Sequence, residues 1–347
     1  MTTWVDSDLK TEKEAMLYDK GDDGLVSCRL CGHLCRIKPA RRGKCGVREN
    51  DQGTLRSLVY ARAIARHVDP IEKKPIFHLA PGSRSYSIAT VGCNFKCSFC
   101  QNADISQLPI DHRTIMGESF PPDQVVAAAR AANCRSISYT YTEPTIFFEY
   151  AYDTAKLARA QGLLNVFVTN GYMTADALET IHPYLDAANV DLKSFRNEFY
   201  KEQCGAKLAV VLDTLKMMKK LGIWVEVTTL LVTGLNDSAE EMQDIAAFLM
   251  DLGPETPWHI SRFHPTYRLT DRGPTPVAVI QRARDIGLKA GLRYVYTGNV
   301  IGDSGEKTYC YNCGQLLIDR VGYSIGKYDV AEAQCPRCRA EINGIEM

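Results

Sequence analysis

The stretch TVGCNFKCSFCQN, residues 90–102, contains Cys93, Cys97 and Cys100 at the spacing C-x3-C-x2-C, and no fourth cysteine follows nearby. A structural zinc site or an ordinary iron–sulfur cluster takes four protein ligands. Three cysteines would hold three irons of a [4Fe–4S] cluster and leave the fourth iron open to a small molecule, as an open coordination position marks a catalytic zinc. The alternative is a zinc site that a distant histidine completes.

The composition of the chain is that of an ordinary globular enzyme. Its 347 residues are 45% hydrophobic and 24% charged, and 41 basic residues balance 41 acidic ones. This balance gives no electrostatic reason to expect a nucleic acid or an anionic membrane as partner. The polar N-terminus predicts no signal peptide, and no apolar run is long enough to span a membrane. We therefore expect a cytoplasmic protein.

Most of the 13 cysteines fall into groups, and only Cys134 and Cys204 stand alone. In a reducing compartment, grouped cysteines indicate metal binding or catalysis rather than disulfides. We interpret the two single cysteines as small packed residues.

Strand and helix patterns alternate from about residue 85 onward. In the segment 208–221, for example, apolar residues recur at helical spacing. Repeated alternation of this kind predicts a parallel sheet, and six or seven units indicate a full or partial β/α barrel. A doubly wound open sheet is the alternative, although no G-x-G-x-x-G follows the first strand. The predicted strands cover residues 86–91, 136–141, 164–169, 187–192, 224–230, 258–263 and 293–297.

Polar residues follow several of these strands at their carboxyl ends, where the active sites of β/α folds form. They are Glu143, Asn170, Asp191, Lys193 and His264. Each one alone has a structural explanation, such as a helix cap, a turn or a surface ion pair. Because all five fall on the same edge as the three-cysteine loop, we predict a functional site at this edge.

Two further cysteine groups flank the predicted barrel. The spacing C-x2-C-x21-C-x2-C predicts a zinc ribbon. We expect this ribbon to stabilise the fold rather than to dock a partner or substrate. A second iron–sulfur centre is a minor alternative. Its ligands would be Cys310, Cys313, Cys335 and Cys338. The spacing C-x2-C-x3-C-x9-C near the N-terminus also predicts a metal site, with zinc slightly preferred over an auxiliary iron–sulfur cluster. Its ligands would be Cys28, Cys31, Cys35 and Cys45.

The three-cysteine loop resembles the signature of radical S-adenosylmethionine (SAM) enzymes. The sequence GCNFKCSFCQN is similar to the version found in activating enzymes of the pyruvate formate-lyase activating type. Longer phrases most resemble the AmmeMemoRadiSam-system radical SAM proteins, namely CRLCGHLCRI, GKCGVREN, DPIEKKPIFHLAPG, YTYTEPTIFFEY, VTNGY, NVDLKSF and RFHPTYRL. The resemblance implies an α/β fold, a partial (β/α)6-type TIM barrel at residues 85–300. A cysteine-rich extension and connector at 1–84 and a zinc-ribbon tail at 301–347 would flank the barrel.

The resemblance also implies a reaction. SAM would bind the open iron through its amino and carboxylate groups, and one electron would cleave its carbon–sulfur bond to give methionine and a 5′-deoxyadenosyl radical. This radical would abstract hydrogen from a substrate, and the protein would position the cofactor and exclude water. A flavodoxin or ferredoxin would supply the electron, and the substrate would be a protein. The N-terminal cysteines precede the barrel, unlike the ferredoxin-like inserts of some activating enzymes, which argues against an electron relay through them.

The roles implied by the resemblance fall on matching residues. Cys93, Cys97 and Cys100 match the cluster ligands, and Asn170 matches a position on the ribose side of SAM. Glu143 lies in YTEP, where the family has a Gly-Gly-Glu-Pro motif at the SAM amino group, so that Tyr141 and Thr142 replace two glycines. Asp191 and Lys193 match the family's Asp-Leu-Lys, with the lysine at the SAM carboxylate. His264 matches a histidine near that carboxylate, and His259 is its rival.

Two alternatives remain open. One is radical SAM modification of a small molecule or of a peptide side chain. The other, from a different class, is a non-catalytic iron–sulfur and zinc protein for electron transfer or interaction. The latter would leave the polar residues at the strand ends unexplained.

Overall fold

The computed structural model describes residues 13–300 and 302–347, so that residues 1–12 of the predicted extension and Ile301 of the predicted tail lie outside the described part. Short strands form the N-terminal region. They are β1 (Lys13–Glu14), β2 (Tyr18–Lys20), β3 (Val26–Cys28), β4 (Arg36–Ile37), β5 (Arg48–Asp51), β6 (Thr54–Ser57), β7 (Arg62–Ala63) and β8 (Ala65–Pro70). Two three-stranded antiparallel sheets result, ordered β1-β6-β5 and β2-β3-β4.

An eight-stranded sheet follows and organises the rest of the chain. Its strands β9 and β11 to β16 are parallel, β8 pairs antiparallel with β9 at one edge, and β10 pairs with β7 outside this sheet. The bounds are β9 (Arg84–Ala89), β10 (Glu118–Ser119), β11 (Ser136–Tyr139), β12 (Leu164–Thr169), β13 (Ala187–Asp191), β14 (Trp224–Leu231), β15 (Trp258–Arg262) and β16 (Val295–Gly298). The parallel strands lie in chain order without the reversal that marks a doubly wound sheet. The predicted partial barrel is confirmed, and the doubly wound alternative is wrong.

Helices connect the parallel strands. They are α1 (Ala103–Ser106), α2 (Leu108–Asp111), α3 (Pro122–Ala131), α4 (Phe148–Ala160), α5 (Ala175–Ile181), α6 (Asn197–Phe199), α7 (Leu208–Lys220), α8 (Ala239–Leu252) and α9 (Val277–Ala290). In α7 the buried residues Leu208, Val211, Leu215 and Met218 lie three or four positions apart, as a helix with one apolar face requires. The hydroxyl of Ser238 caps α8 by accepting a 3.2 Å hydrogen bond from the backbone of Glu241. Within the described residues, no helix is both long and apolar enough to cross a membrane.

The connector between β8 and β9 packs against the sheet. Its apolar side chains Ile71, Ile76 and Leu79 form a buried cluster with Val166 of β12 and Ala187 of β13. Side chains alternate along a strand, so Val166 and Ala187 share their face of the sheet with Val168 and Asn189, two positions further on. The connector therefore fills the same side of the sheet on which the site described below lies.

The tail forms a small antiparallel sheet of β17 (Thr308–Tyr309), β18 (Leu316–Val321) and β19 (Ser324–Tyr328). Its own apolar cluster is small and includes Cys310, Leu317 and Cys335. A core of this size gives little folding free energy, which is why such tails commonly depend on a metal.

Candidate active site

A cavity of about 460 Å³ lies at the carboxyl ends of the parallel strands. Seven of the eight residues predicted for the SAM and cluster site line it: Cys93, Cys97, Cys100, Glu143, Asn170, Asp191 and Lys193. The fold thus brings together side chains that are far apart in the sequence, at the edge where β/α proteins place their active sites.

The three-cysteine loop after β9 is fixed by hydrogen bonds to the chain that follows β13. The backbone N–H of Lys96 donates to the carbonyl of Cys204 at 2.9 Å, and that of Ser98 donates to Gln203 at 3.0 Å. The thiol of Cys204 donates to Cys97 and lowers the pKa of that thiol, a direction that nearby Lys193 reinforces although burial opposes it. Cys204 is fully buried, as predicted, but its contact with Cys97 was not anticipated.

Glu143 is buried and its carboxylate is fully engaged within the protein. Oε1 accepts hydrogen bonds from Thr145 and from the Thr169 hydroxyl at 2.7 Å, and Oε2 accepts one from the backbone of Asn170 at 2.8 Å. Burial raises the pKa of Glu143, although these hydrogen bonds act against the rise. The side chain joins the ends of β11 and β12, and it caps the helical turn Pro144–Phe147, as its structural explanation proposed.

Asn170 connects β12 to the cysteine loop. Its Nδ2 donates to Asn94 Oδ1 at 2.7 Å and lies 3.8 Å from Cys93 Sγ. Its Oδ1 accepts from the backbone of Tyr172 at 3.0 Å. The side chain therefore orients Cys93 and its neighbour, whichever ligand binds in the cavity.

Asp191 and Lys193 form an ion pair of 2.9 Å inside the cavity. Burial disfavours the charged ammonium, but the negative charges of the Asp191 carboxylate and of the nearby Cys97 thiolate outweigh this effect and raise the pKa of Lys193 well above its ordinary value. Lys193 therefore places a permanent positive charge beside the cysteines.

The two histidine candidates lie in different places. His259 lines the cavity, is 5% exposed, and its Nε2 lies 2.6 Å from the carboxylate of Glu226. Side chains alternate along β15, so His259 and Ser261 face the cavity whereas Trp258 and Ile260 are fully buried. His264 follows the end of β15, is exposed, and is not part of the cavity lining.

Sequence reasoning missed a buried cationic group in the cavity wall, Lys74. Its ammonium is 2.7 Å from Asp69 and lies over the ring of Tyr141, 4.3 Å from the ring centroid. The hydroxyl of Tyr141 also donates to Asp69. Burial lowers the pKa of Lys74 to about 8 against the opposing influence of Asp69. The signal available in the sequence was a pair of adjacent lysines in a proline-rich connector.

The C-terminal cysteines form a compact group. Among the described residues, Cys310, Cys313, Cys335 and Cys338 are the one set of three or more possible metal ligands whose donor atoms all lie within 4.8 Å of one another. The sulfurs of Cys310 and Cys338 are 3.5 Å apart, and those of Cys313 and Cys335 are 3.7 Å apart. Four thiolates at about 2.3 Å from one tetrahedral ion would be separated by about 3.8 Å, so the spacing of the group fits a single tetrahedral metal ion.

Comparison with known proteins agrees with this geometry. The model of the radical SAM superfamily matches residues 87–249. An uncharacterized protein of Methanocaldococcus jannaschii is 46% identical over 334 residues, which are 95% of this chain and 99% of that protein. The pyruvate formate-lyase-activating enzyme of Clostridium pasteurianum is 23% identical over 50% of this chain and 71% of its own. A solved radical SAM methyltransferase from Sphaerobacter thermophilus has the same fold, with a TM-score of 0.51 and 17% identity over 68% of this chain and 71% of its own.

The chain therefore contains a radical SAM domain at residues 87–249. Members of this family bind a [4Fe–4S] cluster and SAM, and the cavity offers three cysteines with polar and cationic neighbours that suit both.

Proposed function

We propose that the protein is a radical SAM enzyme that reductively cleaves SAM in the cavity at the carboxyl ends of its parallel strands. The observation that carries the proposal is the shared cavity: three cysteines with one ligand fewer than a closed cluster needs lie beside Asn170, Asp191 and Lys193. A non-catalytic metal protein has no need for this combination.

The residues of the cavity suggest a division of labour. Cys93, Cys97 and Cys100 would hold the cluster, which supplies the electron that splits the carbon–sulfur bond of SAM and so generates the hydrogen-abstracting radical. The ammonium of Lys193 would bind the carboxylate of SAM, since Asp191 keeps it charged and in place. Glu143 would act through the backbone that it orders, because its carboxylate oxygens are already engaged.

We propose His259 rather than His264 as the histidine of the site. His259 faces the cavity, and Glu226 fixes the orientation of its ring. Glu226 is in turn held by the backbone N–H groups of Phe77 and His78. Such a supported side chain can position a ligand reproducibly, which an exposed histidine beyond the cavity cannot do.

A protein is the substrate class that we favour, as in activating enzymes. The turn between β18 and β19 contributes Gly322 and Tyr323 to the cavity lining, and at this rim Val321 is 69% and Tyr323 53% exposed. Exposed apolar side chains beside a cavity are typical of surfaces that bind a partner. The alternative, a small acidic molecule or peptide side chain, is favoured by the cationic Lys74 in the cavity wall. A reduced flavodoxin or ferredoxin would serve as electron donor.

The C-terminal cysteines would hold one zinc ion. The proposal rests on their sulfur separations of 3.5 and 3.7 Å, which suit four thiolates on a single ion.

Anaerobic cleavage of SAM tests the activity. The protein would be reconstituted with iron and sulfide, reduced with dithionite and mixed with SAM, and 5′-deoxyadenosine would be measured by mass spectrometry. We expect product from the wild type and from the matched control Cys134→Ala, whose thiol is buried away from the cavity. We expect none from Cys97→Ala. Absence of product from wild-type protein with a complete cluster would refute the proposal.

Isotope transfer tests the substrate class. An extract of deuterated cells would be separated by ultrafiltration into macromolecules and small molecules, and each fraction would be added to the reaction. Deuterium in 5′-deoxyadenosine from the macromolecular fraction alone would support a protein substrate. Deuterium from the small-molecule fraction alone would refute it.

A further inference from the structure

The four N-terminal cysteines surround a second, small cavity. Cys28 ends β3, Cys31 and Cys35 lie in the loop before β4, and Cys45 lies shortly before β5. All four line the cavity, together with Arg48. Residues spread over 18 positions of the chain thus converge on one point, which is the arrangement of a metal centre rather than of separate packed thiols.

The spacing of these sulfurs differs from that of the C-terminal group. Within the described residues, no three of the N-terminal sulfurs lie within 4.8 Å of one another, whereas all four C-terminal sulfurs do. The sulfurs of Cys93, Cys97 and Cys100 are likewise more widely spaced. Thiolates on a single zinc ion must lie about 3.8 Å apart, whereas each thiolate of a [4Fe–4S] cluster binds a different iron and the thiolates are farther apart. The N-terminal group therefore resembles the cluster loop and not the zinc-type group.

Arg48 supplies a cationic environment for this cavity. It is 1% exposed, its Nη1 lies 3.7 Å from Cys28 Sγ, and its Nη2 pairs with Glu149. Its Nε is buried and has no hydrogen-bond partner among the described residues. A buried guanidinium whose Nη1 lies at a cysteine sulfur can donate to the sulfur of a cluster, and such hydrogen bonds tune iron–sulfur potentials.

The N-terminal cavity adjoins the cysteine loop of the active site through two contacts. His33, between Cys31 and Cys35, donates from Nε2 to the backbone carbonyl of Asn94 at 2.7 Å. On the other side of Cys93, a Cβ atom built on Gly92 would lie 3.3 Å from the carbonyl of Cys45. The fold thus places the N-terminal cysteines against both neighbours of Cys93, although they precede the barrel in sequence.

A basic surface covers the outer side of the same segment. Between residues 36 and 44 there are no acidic residues, and all the basic ones are exposed: Arg36, Lys38, Arg41, Arg42 and Lys44. In a chain with no net charge, such a patch favours an acidic partner. It would direct an acidic electron-donor protein to the N-terminal cysteines.

We propose that Cys28, Cys31, Cys35 and Cys45 hold a second [4Fe–4S] cluster that passes electrons to the cluster held by Cys93, Cys97 and Cys100. This inference rests on the proposed function of the latter site. In the transfer, the N-terminal cluster is oxidised by one electron and the other cluster is reduced by one electron, and no covalent bond is formed or broken. A reduced flavodoxin or ferredoxin restores the electron to the N-terminal cluster.

Metal analysis of the unaltered, anaerobically reconstituted protein is the first test. Two clusters and one zinc ion predict about eight irons and one zinc per chain, whereas a zinc ion at the N-terminal cysteines predicts about four irons and two zincs. The double variant Cys28→Ser/Cys31→Ser should lose about half of the iron and no zinc. A wild-type protein with about four irons would overturn the inference while leaving the proposed function intact.

Counting electrons tests the transfer. Wild-type protein would be fully reduced, freed of reductant by anaerobic gel filtration and mixed with excess SAM. With both clusters reduced and connected, it should yield about two 5′-deoxyadenosines per chain, and the Cys28→Ser/Cys31→Ser variant about one. A yield of about one from wild-type protein with about eight irons would overturn the relay. No product despite full iron content would instead refute the proposed function.

Discussion

Gly92 lies where the N-terminal segment packs against the cysteine loop, and its replacement by alanine should loosen both. Its φ is +106°, and a Cβ atom at this position would lie 2.7 Å from Val47 Cγ1. The left-handed backbone costs a residue with a side chain about 1–2 kcal/mol. The overlap with a fully buried valine adds about 1–3 kcal/mol, because the surrounding core must shift. Gly92→Ala should therefore lower the free energy of unfolding by about 2–5 kcal/mol.

Gly162 provides a matched control for this prediction. Its φ is +74°, but no heavy atom lies within 4 Å of a Cβ built on it. Gly162→Ala should therefore show the backbone cost alone, about 1–2 kcal/mol. The difference between the two variants isolates the contact between Gly92 and Val47.

The assay is thermal unfolding of the metal-loaded proteins under anaerobic conditions, followed by circular dichroism, together with iron analysis. At about 2 °C per kcal/mol, Gly92→Ala should melt roughly 4–10 °C below the wild type and Gly162→Ala roughly 2–4 °C below it. Since Gly92 precedes Cys93, only Gly92→Ala should also lose iron. Equal melting temperatures and full iron in both variants would refute the reasoning.

Four further predictions concern charge and metal. The pKa of Lys74 is about 8 in the folded protein and about 10.4 in the unfolded chain, so the unfolded chain binds more protons between these two pH values. The difference in melting temperature between the wild type and Lys74→Met should therefore increase in favour of the wild type from pH 8 to pH 10. A difference that does not change with pH would contradict the lowered pKa. Tyr141→Phe removes a hydrogen bond to buried Asp69 and should lower the unfolding free energy by about 1.5–3 kcal/mol in denaturant titrations. Cys310→Ser should lose zinc and keep iron in metal analysis. Arg41→Glu should slow reduction by a flavodoxin but not by dithionite in stopped-flow measurements, and equal slowing would exclude a docking role.

The periodic part of the sequence predicted the fold well because burial sets its pattern. The predicted strand at residues 164–169 coincides with β12, and the predictions for the other parallel strands agree within about two residues at every end. Strand β8 was missed, since ARHVDP is polar and ends in proline, features that edge strands tolerate and buried strands do not. Edge strands carry little hydrophobic signal, so pairing with β9 is a tertiary effect that local sequence does not encode.

The sequence predicted the site residues whose position is set by the end of a strand. It did not predict those whose position is set by the packing of a connector against the sheet. Asn170 and Asp191 lie at strand ends, and the sheet brings them to the cavity without further information. Lys74 comes from a connector that folds back onto the sheet, which no local pattern indicates. For the histidines, strict alternation in β15 favours His259 over His264, and this signal was available in the sequence.

The connector and the tail together complete the wall that an open sheet leaves unfinished between β8 and β16. Buried Arg320 of β18 donates to the carbonyl of Phe77 at 2.8 Å, and Thr308 of β17 shares a hydrogen bond with Tyr296 of β16. Nε2 of His78 accepts a hydrogen bond from the hydroxyl of Tyr296, and its Nδ1 donates one to the backbone carbonyl of Asn343. These bonds hold the tail at the cavity, where Glu306, Gly322 and Tyr323 form part of the lining. The zinc ion proposed for the tail would therefore bear on the shape of the active-site cavity, and its loss should impair substrate binding even when the iron content is unchanged.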